Sequence, residues 1–91
     1  MSKEMHNVKE RLYAKYGTFC EVCGKKFNKS KLTGHHIVMK CKGGEITEEN
    51  ILITCEHCHF DVINHIKYDS EEYWALMCRS LRHRKLPSKK K

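Results

Sequence analysis

The chain has 91 residues, of which 40% are hydrophobic and 32% charged, and its formal net charge is +7. A chain of this length builds one small core, whose stability is marginal unless a metal or disulfides contribute. No apolar stretch approaches membrane-spanning length, which excludes a transmembrane protein, and the charged N-terminal sequence does not fit a signal peptide. We therefore expect a cytoplasmic protein in a reducing, intracellular environment.

The predicted elements describe a small α+β protein. Residues 3–16 carry apolar side chains at helical spacing and precede Gly17, a good helix C-cap. Residues 32–39 and 51–54 are predicted strands, separated by a loop with a Gly43-Gly44 turn. A helix is predicted over 56–66. A last helix follows a capping-box-like start at 69–72, with a core face formed by Tyr73, Trp74, Met77 and Leu81.

Four of the six cysteines form two Cys-x-x-Cys pairs, at Cys20/Cys23 and Cys55/Cys58. Each pair places two thiolates on one turn, and together they complete the tetrahedral sulfur shell that zinc prefers. A disulfide framework is the alternative, which a reducing compartment disfavours. Cys78 lies in the pattern of the last helix, where we expect a small buried side chain.

The histidines predict a second metal site. His35 and His36 are adjacent, so on a strand they face opposite sides, and only one of them can share a ligand shell with His59. The other is left to act as a base. A histidine base and a divalent ion are what phosphodiester hydrolysis near neutral pH requires. Imidazole ligands favour nickel, zinc, cobalt or manganese over magnesium, without selecting one of them.

The positive charge is concentrated in two stretches. Residues 1–78 hold 11 basic and 11 acidic side chains, so the excess lies in residues 79–91, and a second acid-free basic stretch covers 24–44. Such stretches favour a polyanionic partner, nucleic acid first. A solvated tail that maintains solubility is the alternative for the C-terminus. The candidate nucleic-acid-binding side chains are Lys40, Lys42, Arg79, Arg82, Arg84 and Lys85.

The order of these residues resembles the HNH endonucleases, specifically the cysteine-bearing branch with the ββα-metal fold. The resemblance covers about residues 18–66 and rests on His35-His36-Ile37, Gly43-Gly44, Asn50-Ile51 and Cys55-x-x-Cys58-His59. It implies a zinc-stapled ββα-metal domain with flanking N- and C-terminal helices over residues 1–78, followed by a basic tail over 79–91.

The resemblance also implies roles for individual residues. His35 and His59 would bind the catalytic metal, His36 would be the general base, and Asn50 would brace the loop that carries it. The four paired cysteines would hold a separate structural zinc. The expected cofactors are therefore a structural Zn²⁺ and one catalytic divalent ion, and the sequence does not identify which of Mg²⁺, Mn²⁺, Ni²⁺ or Zn²⁺ it is.

One position departs from the pattern. Many HNH relatives have a further histidine four residues after the one that matches His59, where this chain has Ile63. The next histidine, His65, would be rotated by about 120° from His59 on a regular helix. Either the helix is distorted near Asn64, or the metal keeps His35 and His59 and completes its shell with water and phosphate oxygens. His65 stays a candidate third ligand.

These features predict a metal-dependent endonuclease that nicks or cuts DNA. The alternative is a zinc-finger module that binds nucleic acid without cleaving it. RNA remains open as a substrate, as does a partner protein that supplies specificity. The histidines and Asn50 favour the enzyme, since a pure binding module needs no base beside a metal site.

Overall fold

The computed structural model describes residues 3–81, 83 and 84. In these residues, two helices flank a two-stranded antiparallel sheet, in agreement with the predicted α+β class. The elements are α1 (Lys3–Tyr16), β1 (Leu32–His36), β2 (Ile51–Cys55) and α2 (Glu71–Ser80). Within this part of the chain, no helix is both long enough and apolar enough to cross a membrane.

Helix α1 has the predicted bounds and covers one face of the sheet. Its buried side chains are Val8, Leu12 and Tyr13, spaced so that they share one side of the helix. The helix ends at Gly17, whose N–H donates to the carbonyl of Tyr13 at 2.8 Å. The observed helix therefore confirms the prediction from apolar spacing and the glycine cap.

The sheet separates two apolar clusters. β1 and β2 pair from Leu32 opposite Cys55 to His36 opposite Ile51. All five residues of β2 are buried. The alternation of side chains along β2 sends Ile51 and Ile53 into the cluster under α1, and Leu52 into the cluster under α2. The sheet is thus a middle layer covered on both faces.

Strand β1 is shorter than predicted. It ends at His36, whereas the sequence predicted a strand to Met39, and β2 extends one residue further than predicted, to Cys55. After His36 the Ile37 N–H still donates to the carbonyl of Asn50 at 2.8 Å. The next residue, Val38, instead bonds to the Asn50 side chain, so pairing between the strands stops there.

The helix predicted over 56–66 is not a regular α-helix. The chain forms a π-helical turn over Cys58–Val62 and a 3₁₀ turn over Ile63–His65. A π-turn inserts one extra residue into a helix. The insertion lets Cys58 join the other paired cysteines while Ile63 is buried in the cluster under α2. The sequence left open that the helix is distorted near Asn64, and the segment is distorted in this way.

Helix α2 begins as predicted, and Tyr73, Met77 and Leu81 of its predicted core face are buried, whereas Trp74 is only partly buried. The Ser70 hydroxyl caps it by accepting from the Tyr73 N–H at 3.1 Å, and Tyr73, Leu76 and Met77 are buried. The prediction for Cys78 was wrong, because it is exposed on the side of the helix away from these residues. The helix also crosses the boundary expected between residues 78 and 79, since Ser80 and Leu81 are still buried.

Candidate metal centres and active site

The four paired cysteines form one cluster, as predicted. Their sulfur atoms all lie within 4.8 Å of one another. Cys20 and Cys23 lie on a turn in which Gly24, at φ 77°, donates its N–H to the Cys20 carbonyl at 2.8 Å. A residue with a side chain would be strained at that φ. Cys55 ends β2 and Cys58 begins the π-turn, so two separate parts of the chain converge on the cluster.

The chemistry of this cluster fits zinc. Four sulfur donors at mutual ligand distance are the structural zinc set. Burial, together with hydrogen bonds from the other paired thiols, raises the pKa of the Cys58 thiol. A bound cation reverses this effect because it stabilises the thiolates. The Cys23 N–H points at the Cys20 sulfur, 3.4 Å away, which also favours negative charge on that atom.

A buried ion pair lies directly against the cysteine turn. Glu21, between the first two cysteines of the cluster, accepts from the Arg84 Nε at 2.8 Å and Nη2 at 2.7 Å. Glu21 also accepts from the Ile53 N–H at 2.7 Å, and its other oxygen lies 2.7 Å from His83 Nε2. Arg84 donates further to the carbonyls of Glu48 and Ile51. This part of the C-terminal segment therefore belongs to the folded domain.

The ion pair corrects the expectation for Arg84 as a nucleic-acid-binding residue. Its side chain is 5% exposed and its charge is neutralised by Glu21, so it is not a surface cation. Lys40, Lys42 and Arg79 are exposed, as the expectation requires. Arg82 and Lys85 lie outside the described residues. The sequence did not reveal the pair because no acid is near Arg84 in the chain.

His35 and His59 meet on the face of the sheet under α2. Their ring centroids are 5.3 Å apart and the rings are inclined by 67°. Burial, followed by electrostatic repulsion from His59 and His36, lowers the pKa of His35 to about 4. Burial also lowers the pKa of His59. Both rings are therefore neutral near pH 7, the form in which imidazole binds metals.

Each of these rings has a hydroxyl partner that the sequence did not predict. His35 Nε2 lies 2.8 Å from the hydroxyl oxygen of Tyr73, and His59 Nδ1 lies 3.2 Å from that of Thr33. Thr33 is two residues before His35 and therefore on the same face of β1. Tyr73 was predicted only as a core residue of α2, because helical spacing gives no sign of what its hydroxyl contacts.

His36 lies on the other face of β1, as expected from the alternation of side chains. This is the face of Gly34, where an added Cβ would lie 2.8 Å from the sulfur of Met5 in α1. The Nε2 atom of His36 is buried and has no hydrogen-bond partner among the described residues. Burial and then the charge of Lys40 lower the pKa of His36.

Asn50 holds the loop that follows His36. The residue is 4% exposed. Its side chain accepts from the Val38 N–H at 2.8 Å, and donates to the carbonyls of Val38 at 3.1 Å and Glu45 at 2.9 Å. The backbone of Gly44 passes so close that an added Cβ would lie 1.8 Å from the Val38 carbonyl oxygen. Asn50 and Gly44 thus fix the path of this loop.

His65 is exposed on the 3₁₀ turn. The rotation expected for a regular helix does not apply to it, because the π-turn intervenes. Among the described residues, the four paired cysteines are the group of at least three His, Cys, Asp or Glu side chains that lie close enough together to share a metal ion. His65 does not belong to this group. Its role as a third ligand stays a prediction.

A two-stranded sheet between helices, with a four-cysteine cluster and a histidine pair, defines a small metal-binding α+β domain. Residues 20–64 match the family model of the HNH endonuclease. The match includes both cysteine pairs, His35-His36, Asn50 and His59, so the chain carries an HNH endonuclease domain with the ββα-metal arrangement. A comparison with curated proteins found no match.

Proposed function

We propose that the protein is a metal-dependent endonuclease that hydrolyses phosphodiester bonds in DNA. The observation that carries the proposal is the pair of imidazole rings of His35 and His59, at a centroid distance of 5.3 Å within the segment that matches the HNH family. A divalent ion bound by them would supply positive charge where the leaving oxygen becomes negative. Water and phosphate oxygens would complete its shell.

The remaining residues have separate roles in this proposal. His36 is the general base, and its Nε2 is not committed to another group among the described residues. Asn50 holds the loop after His36 through its three hydrogen bonds. The zinc bound by the four cysteines is structural. Exposed Lys40, Lys42 and Arg79 contact phosphates and position the duplex without taking part in the reaction.

A zinc-dependent module that binds nucleic acid without cleaving it is the second candidate. The position of His36 favours it, because its buried Nε2 lies on the face of β1 opposite the His35 and His59 pair. The exposed lysines of the 24–44 stretch serve either function. The two candidates differ in turnover and in the need for a second metal.

A nicking assay on supercoiled plasmid distinguishes them. Zinc-loaded protein is incubated with Mg²⁺, Mn²⁺, Ni²⁺ or added Zn²⁺, and nicked and linear products are measured separately. The enzyme is expected to cleave with at least one of these ions, and RNA of matched sequence shows whether the substrate class extends beyond DNA. Binding of the plasmid without cleavage in the whole series would support the binding module instead.

Single-turnover rates of variants test the assigned base. His36→Ala should lower the cleavage rate by about 10²- to 10⁴-fold with unchanged zinc content, the usual effect of losing a positioned general base. His35→Ala should instead weaken binding of the catalytic metal, so that a higher metal concentration is needed for half-maximal cleavage. His6→Ala, an exposed histidine of α1, is the matched control. If His36→Ala cleaves at the parent rate in saturating metal, another group is the base.

A further inference from the structure

Tyr73 lies on α2, outside the segment that matches the HNH family, yet its hydroxyl reaches the candidate metal centre. The oxygen lies 2.6 Å from the carbonyl oxygen of Ile37 and 2.8 Å from Nε2 of His35. It is therefore in hydrogen-bond contact with a backbone group of the loop after β1 and with a proposed metal ligand at the same time.

The proton count of these groups determines the direction of both bonds. Two oxygens 2.6 Å apart need a hydrogen between them, and the Ile37 carbonyl has none, so the Tyr73 hydroxyl donates to it. That hydroxyl has only one hydrogen. The contact with His35 must therefore be donated by His35, from a protonated Nε2. In a neutral ring, the lone pair then lies on Nδ1.

The surroundings of Tyr73 keep the hydroxyl in this position and protonated. The residue is 1% exposed, and its ring makes T-shaped contacts with Tyr68 at 5.1 Å and Trp74 at 5.2 Å. Ser70 caps the first turn of α2 through the Tyr73 N–H. Burial, followed by electrostatic interactions with Tyr68 and Asp69, raises the pKa of Tyr73, so the hydroxyl keeps its hydrogen at neutral pH.

We propose that Tyr73 is a positioning residue for the second metal: it accepts from His35 Nε2–H and so fixes the tautomer whose Nδ1 binds the divalent ion. The inference rests on the proposed metal-binding role of His35. Histidine ligands commonly donate their second ring N–H to an oxygen, which fixes the ring and raises its basicity as a ligand. Here the oxygen belongs to a helix outside the HNH match, so α2 is part of the site.

The test compares Tyr73→Phe with Tyr68→Phe in zinc-loaded protein. Tyr68 is the matched control because its hydroxyl also bonds the loop after β1, accepting from the Met39 N–H at 3.1 Å, but contacts no histidine nitrogen. Long-range ¹⁵N–¹H spectra report the His35 tautomer before the second metal is added. Calorimetric titration with Mn²⁺ then gives the affinity.

The wild type and Tyr68→Phe should show His35 protonated on Nε2, with similar Mn²⁺ affinities. Tyr73→Phe should show a mixture of tautomers and bind Mn²⁺ about 10- to 100-fold more weakly, the usual effect of losing such a partner. The wild-type spectrum keeps the inference testable even if Tyr73→Phe does not fold.

Two results would overturn the inference alone. One is a wild type that binds Mn²⁺ with His35 protonated on Nδ1. The other is a Tyr73→Phe protein whose tautomer and affinity equal those of Tyr68→Phe. A wild type that binds no Mn²⁺ beyond its zinc would overturn the proposed metal site together with the inference.

Discussion

Adjacent residues of β1 have different environments because a strand turns successive side chains to opposite faces. His35 faces α2, where Tyr73 and His59 surround it. His36 faces α1 and has a buried Nε2 without a partner among the described residues. A similar contrast separates Asn50, which is fully bonded, from Asn28, which is exposed and whose side chain makes no capping bond. At this scale, burial and bonding distinguish residues of the same type.

The two asparagines give a matched pair of substitutions. Asn50→Ala leaves the Val38 N–H and the carbonyls of Val38 and Glu45 without their side-chain partner. We expect a loss of about 2 to 4 kcal/mol in the free energy of unfolding, from the cost of unpaired buried polar groups. Asn28→Ala should change stability by less than about 0.5 kcal/mol. Urea unfolding of the zinc-loaded variants, followed by the fluorescence of the single tryptophan, Trp74, measures both.

Equal stabilities of the two variants would contradict the bracing role of Asn50. The cleavage assay adds a second comparison at the same positions. Since Asn50 orders the loop after His36, its loss should also slow cleavage, whereas the Asn28 variant should retain the parent rate.

Among the elements, the cysteine turn and the end of the chain depend on each other. The turn carries Glu21 between Cys20 and Cys23, and the segment after α2 supplies Arg84 and His83 to its carboxylate. Arg84 also bonds the carbonyls of Glu48 and Ile51, which belong to the loop before β2 and to β2 itself. One guanidinium therefore links three parts of the chain beside the cysteine cluster.

Removing one partner of this pair should be costly. Arg84→Ala leaves the Glu21 carboxylate buried at 3% side-chain exposure without its cation, and breaking a buried pair in this way costs about 3 to 5 kcal/mol. Arg79→Ala, at an exposed position in the last turn of α2, is the control and should change stability by less than about 0.5 kcal/mol. Chemical denaturation of both zinc-loaded variants measures their free energies of unfolding. A loss below about 1 kcal/mol for Arg84→Ala would show that the ion pair contributes little to stability.

For the whole molecule, the cysteine cluster joins the two halves of the HNH segment. Cys20 and Cys23 precede the sheet, Cys55 is the last residue of β2, and Cys58 follows the sheet. The apolar clusters on the two faces of the sheet are small, so ligand binding is expected to supply much of the stability. Folding and metal content should therefore change together.

Chelation tests this coupling. Elemental analysis should find one zinc per chain, and its removal at neutral pH should unfold the protein, since zinc contributes about 10 to 16 kcal/mol in zinc-finger peptides. Circular dichroism follows the loss of helix. Cys20→Ser should fail to retain zinc, whereas Cys41→Ser and Cys78→Ser, at exposed cysteines outside the cluster, should keep it. A natively folded wild type that contains no zinc would refute the assignment.

The basic C-terminus is tested by charge removal rather than truncation. A chain that ends at Cys78 would lack Leu81 and Arg84, which are part of the fold. We therefore replace Lys85, Lys89, Lys90 and Lys91 with glutamine. If these lysines bind phosphates, DNA affinity should fall most at low salt, and the slope of log affinity against log salt should decrease by about 0.9 for each phosphate that is no longer neutralised.

Glutamine at Lys40 and Lys42 gives the comparison for the 24–44 stretch. The cleavage rate at saturating DNA should be retained in the tail variant, because phosphate contacts of this kind position the duplex and take no part in the reaction. An unchanged salt slope in the tail variant and a reduced one in the Lys40 and Lys42 variant would assign the binding role to the loop.

The sequence alone determined the features that depend on local pattern. The Cys-x-x-Cys spacing predicted the four-cysteine cluster, apolar spacing and Gly17 predicted α1, and strand alternation predicted that His35 and His36 lie on opposite faces. The order of histidines, glycines and Asn50 predicted the HNH family over the segment that matches. Ligand spacing and helix caps depend on residues that are close in the chain, so they can be predicted without knowledge of the fold.

The tertiary structure decided the contacts between residues far apart in the chain. Arg84 and Glu21 are 63 positions apart, and Tyr73 and His35 are 38 apart, so no periodicity or spacing links them. The sequence left a distorted helix open but did not predict the π-turn, which lets Cys58 join the cysteine cluster while Ile63 is buried in the apolar cluster under α2. Such contacts form only when the whole chain has packed, since each partner is positioned by a different element.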